Sequence, residues 1–265
     1  MIQIAKRMIQ IAKYMVQVMK RMIQDCKMHD TDYETEVKMA DIIKLPDDKE
    51  AKEQIIEVGR RMYDKDYCAA NDGNISCKTK DGFFWVTPSG VSKGFMSEDI
   101  LVKTDIDGNI IENPGNRKVS SELKLHLSVY KNRKDAGAVV HAHPPVSTAF
   151  ACARKAMSKP VLSEAILNLG EVPCAPFAVP GTDELAESII PYVKNHVAVL
   201  LANHGAVTWG ESMIKAYYRL ETLEYYAKML IRLGELPQPP VEFTSEEKAA
   251  IEALRGGFGI NLSCE

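Results

Sequence analysis

The chain has 265 residues, 46% of them hydrophobic and 26% charged, and its 33 basic and 36 acidic side chains leave a formal charge of −3. That length can bury a sizeable core in one large domain or two small ones, and the composition is that of a globular protein. The charge argues against a generally basic nucleic-acid binder, and no apolar run approaches the roughly 18 to 20 residues of a membrane-spanning helix, so neither nucleic acid nor membrane is expected as a partner.

Residues 1–28 repeat with a period of seven: MIQIAKR, MIQIAKY, MVQVMKR, MIQDCKM. Ile2, Ile9, Val16 and Ile23 alternate at spacings of three and four with Ala5, Ala12, Met19 and Cys26, which is the a/d seam of a heptad helix. The first 24 residues carry five basic side chains and no acidic one. A basic amphipathic helix on an anionic membrane surface, or a transit peptide, is one reading. The absence of serine favours instead a helix that packs on a partner or on itself. The near-exact repetition, with Met39 as an internal start, adds a third reading, in which residues 1–38 are a heptad helix appended by design to a domain spanning 39–265.

Further along, Ala51, Ile55, Val58 and Met62 recur at helical spacing and predict a helix over 48–66. Strand-like runs follow at 74–78, 83–87 and 100–104, joined by turns at Asp81-Gly82 and Asp107-Gly108-Asn109. Residues 121–132 read as a helix capped by Ser120 or Ser121. The run 137–142 (GAVVHA) is a buried strand, 145–156 a helix after the double proline, and 197–202 another apolar strand. A long helix covers 211–234, closed by Gly234, and a last one 245–255. Hairpin-sized loops precede the helices, which predicts an α/β fold of the α+β type with a mixed or mostly antiparallel sheet between helix layers. No Gly-x-Gly-x-x-Gly or P-loop signature supports a nucleotide cofactor. The six cysteines are scattered without any Cys-x-x-Cys pair and read as reduced thiols of a cytoplasmic protein.

His141 and His143 sit at i and i+2 on a strand, so both imidazoles leave the same face and can reach one cation. His204 follows a second apolar strand and precedes Gly205. Three histidines with an open fourth position describe a catalytic rather than a structural metal site. His29, His126 and His196 read as linker, core or surface residues. Gly73-Asn74-Ile75-Ser76, Thr87-Pro88-Ser89-Gly90 and Ser120-Ser121 are small turns whose N–H and hydroxyl groups can cradle a phosphate. Glu122, directly after the serine pair, is placed to move a proton beside a carbonyl near a divalent cation. Alone it would pass for a first-turn acid that complements the helix dipole.

This ordered set, together with Pro173-Cys174-Ala175-Pro176, resembles the class II aldolase/adducin-like family over about residues 52–258, and within it the L-fuculose-1-phosphate aldolase group. The resemblance implies that His141, His143 and His204 bind zinc or another divalent cation. It implies that Gly73, Asn74, Ser89, Gly90, Ser120 and Ser121 hold a substrate phosphate, and that Glu122 is the general acid/base. It further implies a fourfold homotetramer and cleavage of a ketose 1-phosphate to dihydroxyacetone phosphate and an aldehyde. Lysine Schiff-base chemistry is then unnecessary, and no lysine stands in an evidently desolvated context. Where the group uses two tyrosines, this chain has Glu164 and Phe258, so Glu164 becomes a candidate second acid/base. Relatives with other outcomes are the methylthioribulose-phosphate dehydratases, the pentulose-phosphate 4-epimerases and the non-catalytic adducin-like scaffolds. In a tetramer, four heptad helices could protrude together and pair within or between particles.

Overall fold

The computed structural model describes residues 45–256, 260, 262 and 263. The heptad segment, the boundary at Met39, His29 and Phe258 lie outside the described residues. Helix α1 (Asp48–Asp64) opens with a capping box, in which Asp47 accepts from the Glu50 N–H and Glu50 reaches back to the Asp47 N–H. Its buried residues Ala51, Ile55, Val58 and Met62 recur every three or four positions and give the helix one apolar stripe. Strands β1 (Asn74–Lys78), β2 (Phe84–Val86), β3 (Val102–Thr104) and β4 (Ile110–Glu112) form an antiparallel meander. Helix α2 (Leu123–Asn132) leads to β5 (Ala138–Ala142), and α3 (Pro145–Cys152) follows. Short elements come next: α4 (Ser163–Asn168), β6 (Cys174–Ala175), α5 (Asp183–Ser188) and α6 (Ile190–Val193). The chain then runs through β7 (Ala198–Leu201), β8 (Gly205–Gly210), α7 (Met213–Gly234) and α8 (Ser245–Glu252).

The strands make one eight-stranded sheet in the order β4-β3-β2-β1-β5-β8-β7-β6, antiparallel at every pairing except β6 with β7. The expectation of a mostly antiparallel sheet between helices is met. The two-residue side-chain period divides the core into two layers. Ile75, Cys77, Ala138, Val140, Ala142 and Ala206 face α1, α3 and α7. Val139, Val207 and Trp209 face the layer of α2, α5 and α6. Every residue of β5 is buried, as a central strand covered on both faces must be.

Two sequence expectations change. The helix at 121–132 begins at Leu123, and neither serine caps it: Glu122 holds the N-cap position without a side-chain cap bond, while Ser120 Oγ accepts from the Glu122 N–H at 3.3 Å. The carboxylate is committed elsewhere, to the interior. The sequence reading also passed over β8, whose glycines at both ends resemble a loop. It completes a hairpin with β7 in which Leu201 pairs with Gly205 and three residues turn the chain.

Glu224 on α7 is fully buried, and its oxygens accept from the Val146 and Ser147 N–H groups at 3.1 and 2.8 Å, capping α3 from a different helix. Glu224→Ala should lower unfolding free energy by about 2 kcal/mol. Urea titration checks this, and an unchanged midpoint would show the cap to be dispensable.

Candidate active site

Register places the site. Asn74 on β1 lies directly opposite His141 on β5, and His141 lies opposite Val207 on β8. The odd-numbered residues Val139 and His141 point to the α2 side, and His143, one residue past the strand, continues that row. Its N–H donates to the Tyr67 carbonyl at 2.9 Å, which fixes the chain after the strand ends. His204 comes from the β7–β8 turn rather than from a strand end, and Asn203 before it takes a left-handed conformation, φ 57°. Gly205 then passes against His143: a Cβ there would stand 2.5 Å from His143 Cδ2 and 2.6 Å from the Ala142 carbonyl oxygen. No larger residue fits without moving the His143 ring or the Ala142 backbone.

The three rings stand with centroids 4.8–4.9 Å apart, and one donor nitrogen from each lies within 4.8 Å of the others. His141 Nδ1 donates to the Ala206 carbonyl at 2.9 Å, which leaves the Nε2 lone pair pointing inward. His143 Nδ1 faces Asp72 at 3.5 Å, so its Nε2 also turns inward, 3.1 Å from His141 Nε2. Two lone pairs in that position repel unless a proton or a cation lies between them. Nitrogens about 2.0–2.1 Å from one tetrahedral ion would be about 3.3 Å apart, so the spacing suits a divalent cation. Burial holds His143 and His204 down to about 4, which keeps both rings neutral and ligand-competent near neutral pH.

Glu122 closes the constellation. Its Oε2 lies 3.1 Å from His141 Nε2 and accepts from Asn74 Nδ2 at 2.7 Å. Its Oε1 lies 3.3 Å from His204 Nε2 but has no hydrogen-bond partner, although it is buried. Burial alone would raise this carboxyl, and the nearby imidazoles and the Asn74 amide outweigh it, so the group is held well below the usual carboxylate range. With His143 and His204 pushed toward neutrality, the Asn74 hydrogen bond is a part of that effect that needs no charge on those rings.

Asn74, Thr87 and Ser120 line one narrow crevice beside His126, so the three turns expected to bind phosphate do converge. The bridge between Pro88 and Val119, and the Ser89 N–H donated to the Lys118 carbonyl at 2.8 Å, bring the second turn against the third. Ser89, Gly90 and Ser121 are exposed, while Gly73, Asn74 and Ser120 lie deeper. Gly73 and Gly90 have φ 75° and 74°, and a Cβ on Gly73 would meet the His141 carbonyl oxygen at 2.9 Å. Glu164 stands apart, exposed in the first turn of α4, where Asn168 Nδ2 donates to its backbone carbonyl.

Sequence reasoning missed Asp72, for which the signal was an acid directly before the Gly73 turn. It passed over His126 as a helix residue, although this ring is 2% exposed and its Nε2 lies 2.5 Å from Asn74 Oδ1. The expectation about lysines also needs correction. Lys93 is 1% exposed, its ammonium donates to the Asn71 and Val91 carbonyls at 3.0 and 2.6 Å, and burial lowers its pKa. That charge anchors the loop carrying Asp72 and Gly73; nothing in Ser92-Lys93-Gly94 advertises burial.

A mixed α/β domain that brings three inward-facing imidazoles and an ionised carboxylate together defines a candidate metal-assisted enzyme. Residues 53–231 match the family described as Class II Aldolase and Adducin N-terminal domain, and the chain belongs to it. It is 33% identical over 180 residues to the L-fuculose phosphate aldolase of Methanocaldococcus jannaschii, covering 68% of this chain and 95% of that protein. It is 31% identical over 203 residues to the 3-oxo-tetronate 4-phosphate decarboxylase of Escherichia coli K12, covering 75% of this chain and 93% of that one. The crystal structure of YgbL from Escherichia coli superposes with a TM-score of 0.72 at 29% identity, over 77% of this chain and 99% of its own. Class II aldolases depend on a divalent metal, in keeping with the histidine cluster.

Burial pulls His126 from its ordinary 6.5 to about 3; Asn74 and Ser76 meet its two ring nitrogens, and His141 and Glu122 are the titratable groups that act on it. As pH falls, the unfolded chain binds this proton first. The stabilisation is therefore complete above about pH 6.5 and is lost toward pH 3. The stability gap between wild type and His126→Gln should shrink by about 1.4 kcal/mol per pH unit below 6.5. Denaturant melts between pH 8 and 5 check this, and a constant gap would refute it.

Proposed function

We propose that the chain is a divalent-metal-dependent lyase that cleaves a ketose 1-phosphate of the L-fuculose type reversibly to dihydroxyacetone phosphate and an aldehyde. The observation that carries this reading is the buried Glu122 carboxylate, 3.1 Å from His141 Nε2 and 3.3 Å from His204 Nε2, beside a His143 Nε2 that lies 3.1 Å from His141 Nε2. Zinc or another divalent cation held by His141, His143 and His204 would polarise the substrate carbonyl as a Lewis acid. Gly73, Asn74, Ser89, Gly90, Ser120 and Ser121 bind the phosphate through backbone N–H groups, the Asn74 amide and hydroxyls, and so place C3 next to Glu122. When the C3–C4 bond breaks, the C4 hydroxyl loses its proton and C3 gains one; Glu122 handles the proton at C3. Glu164, exposed in the first turn of α4, is the candidate second acid/base of this reading. The reading includes a cytoplasmic homotetramer.

A second reading has one specific support: relatives named 3-oxo-tetronate 4-phosphate decarboxylase match as extensively as those named aldolase. Decarboxylation beside a carbonyl also breaks a carbon–carbon bond and leaves a carbon to be reprotonated, so the same Glu122 and phosphate contacts would serve.

Assaying dihydroxyacetone phosphate release from L-fuculose, L-rhamnulose and 5-deoxyribulose 1-phosphates, with and without chelator, tests the first reading. Carbon dioxide release from 3-oxo-tetronate 4-phosphate tests the second. Glu122→Gln should keep metal and phosphate binding while turnover falls on the order of a hundredfold or more; wild-type turnover would remove it from the mechanism. His143→Ala should lose the metal by elemental analysis, and unchanged content would break the ligand assignment.

A further inference from the structure

Behind Glu122 runs a row of buried polar groups for which lyase chemistry has no direct use. Asn74 Nδ2 donates to Glu122 Oε2 at 2.7 Å, and Asn74 Oδ1 lies 2.5 Å from His126 Nε2. On the far side of the ring, His126 Nδ1 lies 2.7 Å from Ser76 Oγ, which is 2.9 Å from the Tyr130 hydroxyl. His126, Ser76 and Tyr130 are 2%, 0% and 8% exposed, so water does not compete for these bonds. The row joins β1 to α2, because alternate residues of the strand (Asn74, Ser76) and successive turns of the helix (His126, Tyr130) face each other.

Counting hydrogens fixes the direction of every bond. An ionised carboxylate only accepts, so Asn74 presents its NH2 to Glu122 and its carbonyl oxygen to His126. That oxygen also only accepts, so His126 must carry its hydrogen on Nε2. A neutral ring then has a lone pair on Nδ1, which takes the Ser76 hydroxyl hydrogen. Ser76 Oγ has no second hydrogen, so the single Tyr130 hydroxyl hydrogen is shared between Ser76 Oγ at 2.9 Å and the Ser76 carbonyl at 3.1 Å. All donors point toward Glu122. The opposite tautomer would set the Nε2 lone pair against Asn74 Oδ1, and flipping the amide to relieve this would set its oxygen against the carboxylate.

We infer that His126 is a positioning residue: through Asn74, a one-way hydrogen-bond chain from Tyr130 and Ser76 holds Glu122 Oε2 as a fixed acceptor and leaves Oε1 as the oxygen that exchanges a proton with substrate. Oε1 is buried and has no hydrogen-bond partner, which suits that role. The inference rests on Glu122 as acid/base, the reading proposed for this site. A histidine that merely filled the core would leave its tautomer and the orientation of Asn74 unspecified.

The test reads the tautomer directly. In the full zinc-loaded chain with ring-15N histidine, the signals lost in His126→Gln identify this ring. The expected result is a neutral Nε2–H ring at every pH between 6 and 9. An Nδ1–H ring, or one that protonates in that range, overturns the chain. This readout needs no substrate, so it stands or falls separately from the proposed activity. On whichever ketose phosphate the wild type cleaves, His126→Leu should lower kcat by about ten- to a hundredfold, with KM and zinc content unchanged. His126→Gln, which keeps an N–H near the Nε2 position, should recover most of that loss. Equal losses in the two variants, or a loss confined to KM, would overturn the positioning role.

Discussion

The antiparallel pairing of β1 with β5, in the register that sets Asn74 opposite His141, is the constraint on which the rest of the site depends. Side chains alternate across a sheet, so this one register sends Ile75, Cys77, Val140 and Ala142 into the core under α1 and α7. It sends Asn74, Ser76, Val139 and His141 toward α2. A slip by one residue would exchange the two sets, burying the imidazole among aliphatic side chains and aiming alanine and valine at the carboxylate. Packing and chemistry are therefore decided by the same pairing. The apolar layer, which includes Ile55, Met62, Leu220 and Leu223, holds that register rigidly.

On the polar face, burial produces the electrostatics. Removing water from His143 and His204 disfavours their charged forms and leaves lone pairs directed at one point. The outward nitrogens are oriented from behind, by the Ala206 carbonyl for His141 and by Asp72 for His143. Glu122 is unusual for an N-cap position, because its side chain makes no cap bond and turns inward to Asn74. The start of α2 thus gives up a local stabilising contact, and the buried carboxylate is secured by strand and helix together.

Much of this was legible in the chain. The spacing of Ala51, Ile55, Val58 and Met62, the run around Val139–Ala142 and the length of 211–234 each specified an element, because the apolar period of a segment reflects the face it buries. His-x-His on a strand announced a shared face, and the order of Asn74, Ser120, Glu122 and the three histidines named most of the constellation. Less legible were β8, whose terminal glycines imitate a loop, and the short elements between 163 and 193. Their stability comes from neighbours and not from their own period. Asp72, His126 and Lys93 escaped notice because each is common in loops and helices and acquires its role only from what lies across from it.

By itself the sequence determined the periodicities, the turns and the residue types able to ligate a cation or move a proton, since these are properties of neighbours along the chain. Only the tertiary structure decided that His204 reaches the cluster from a hairpin turn, that Gly205 must be glycine because His143 passes within 2.5 Å of its missing Cβ, and that Glu122 faces inward instead of capping its helix. It also decided that His126, fifty-two positions from Asn74, sits behind that residue's amide. Such contacts arise from strand register and layer packing, which join residues far apart in the chain, and no local pattern records which of them will meet.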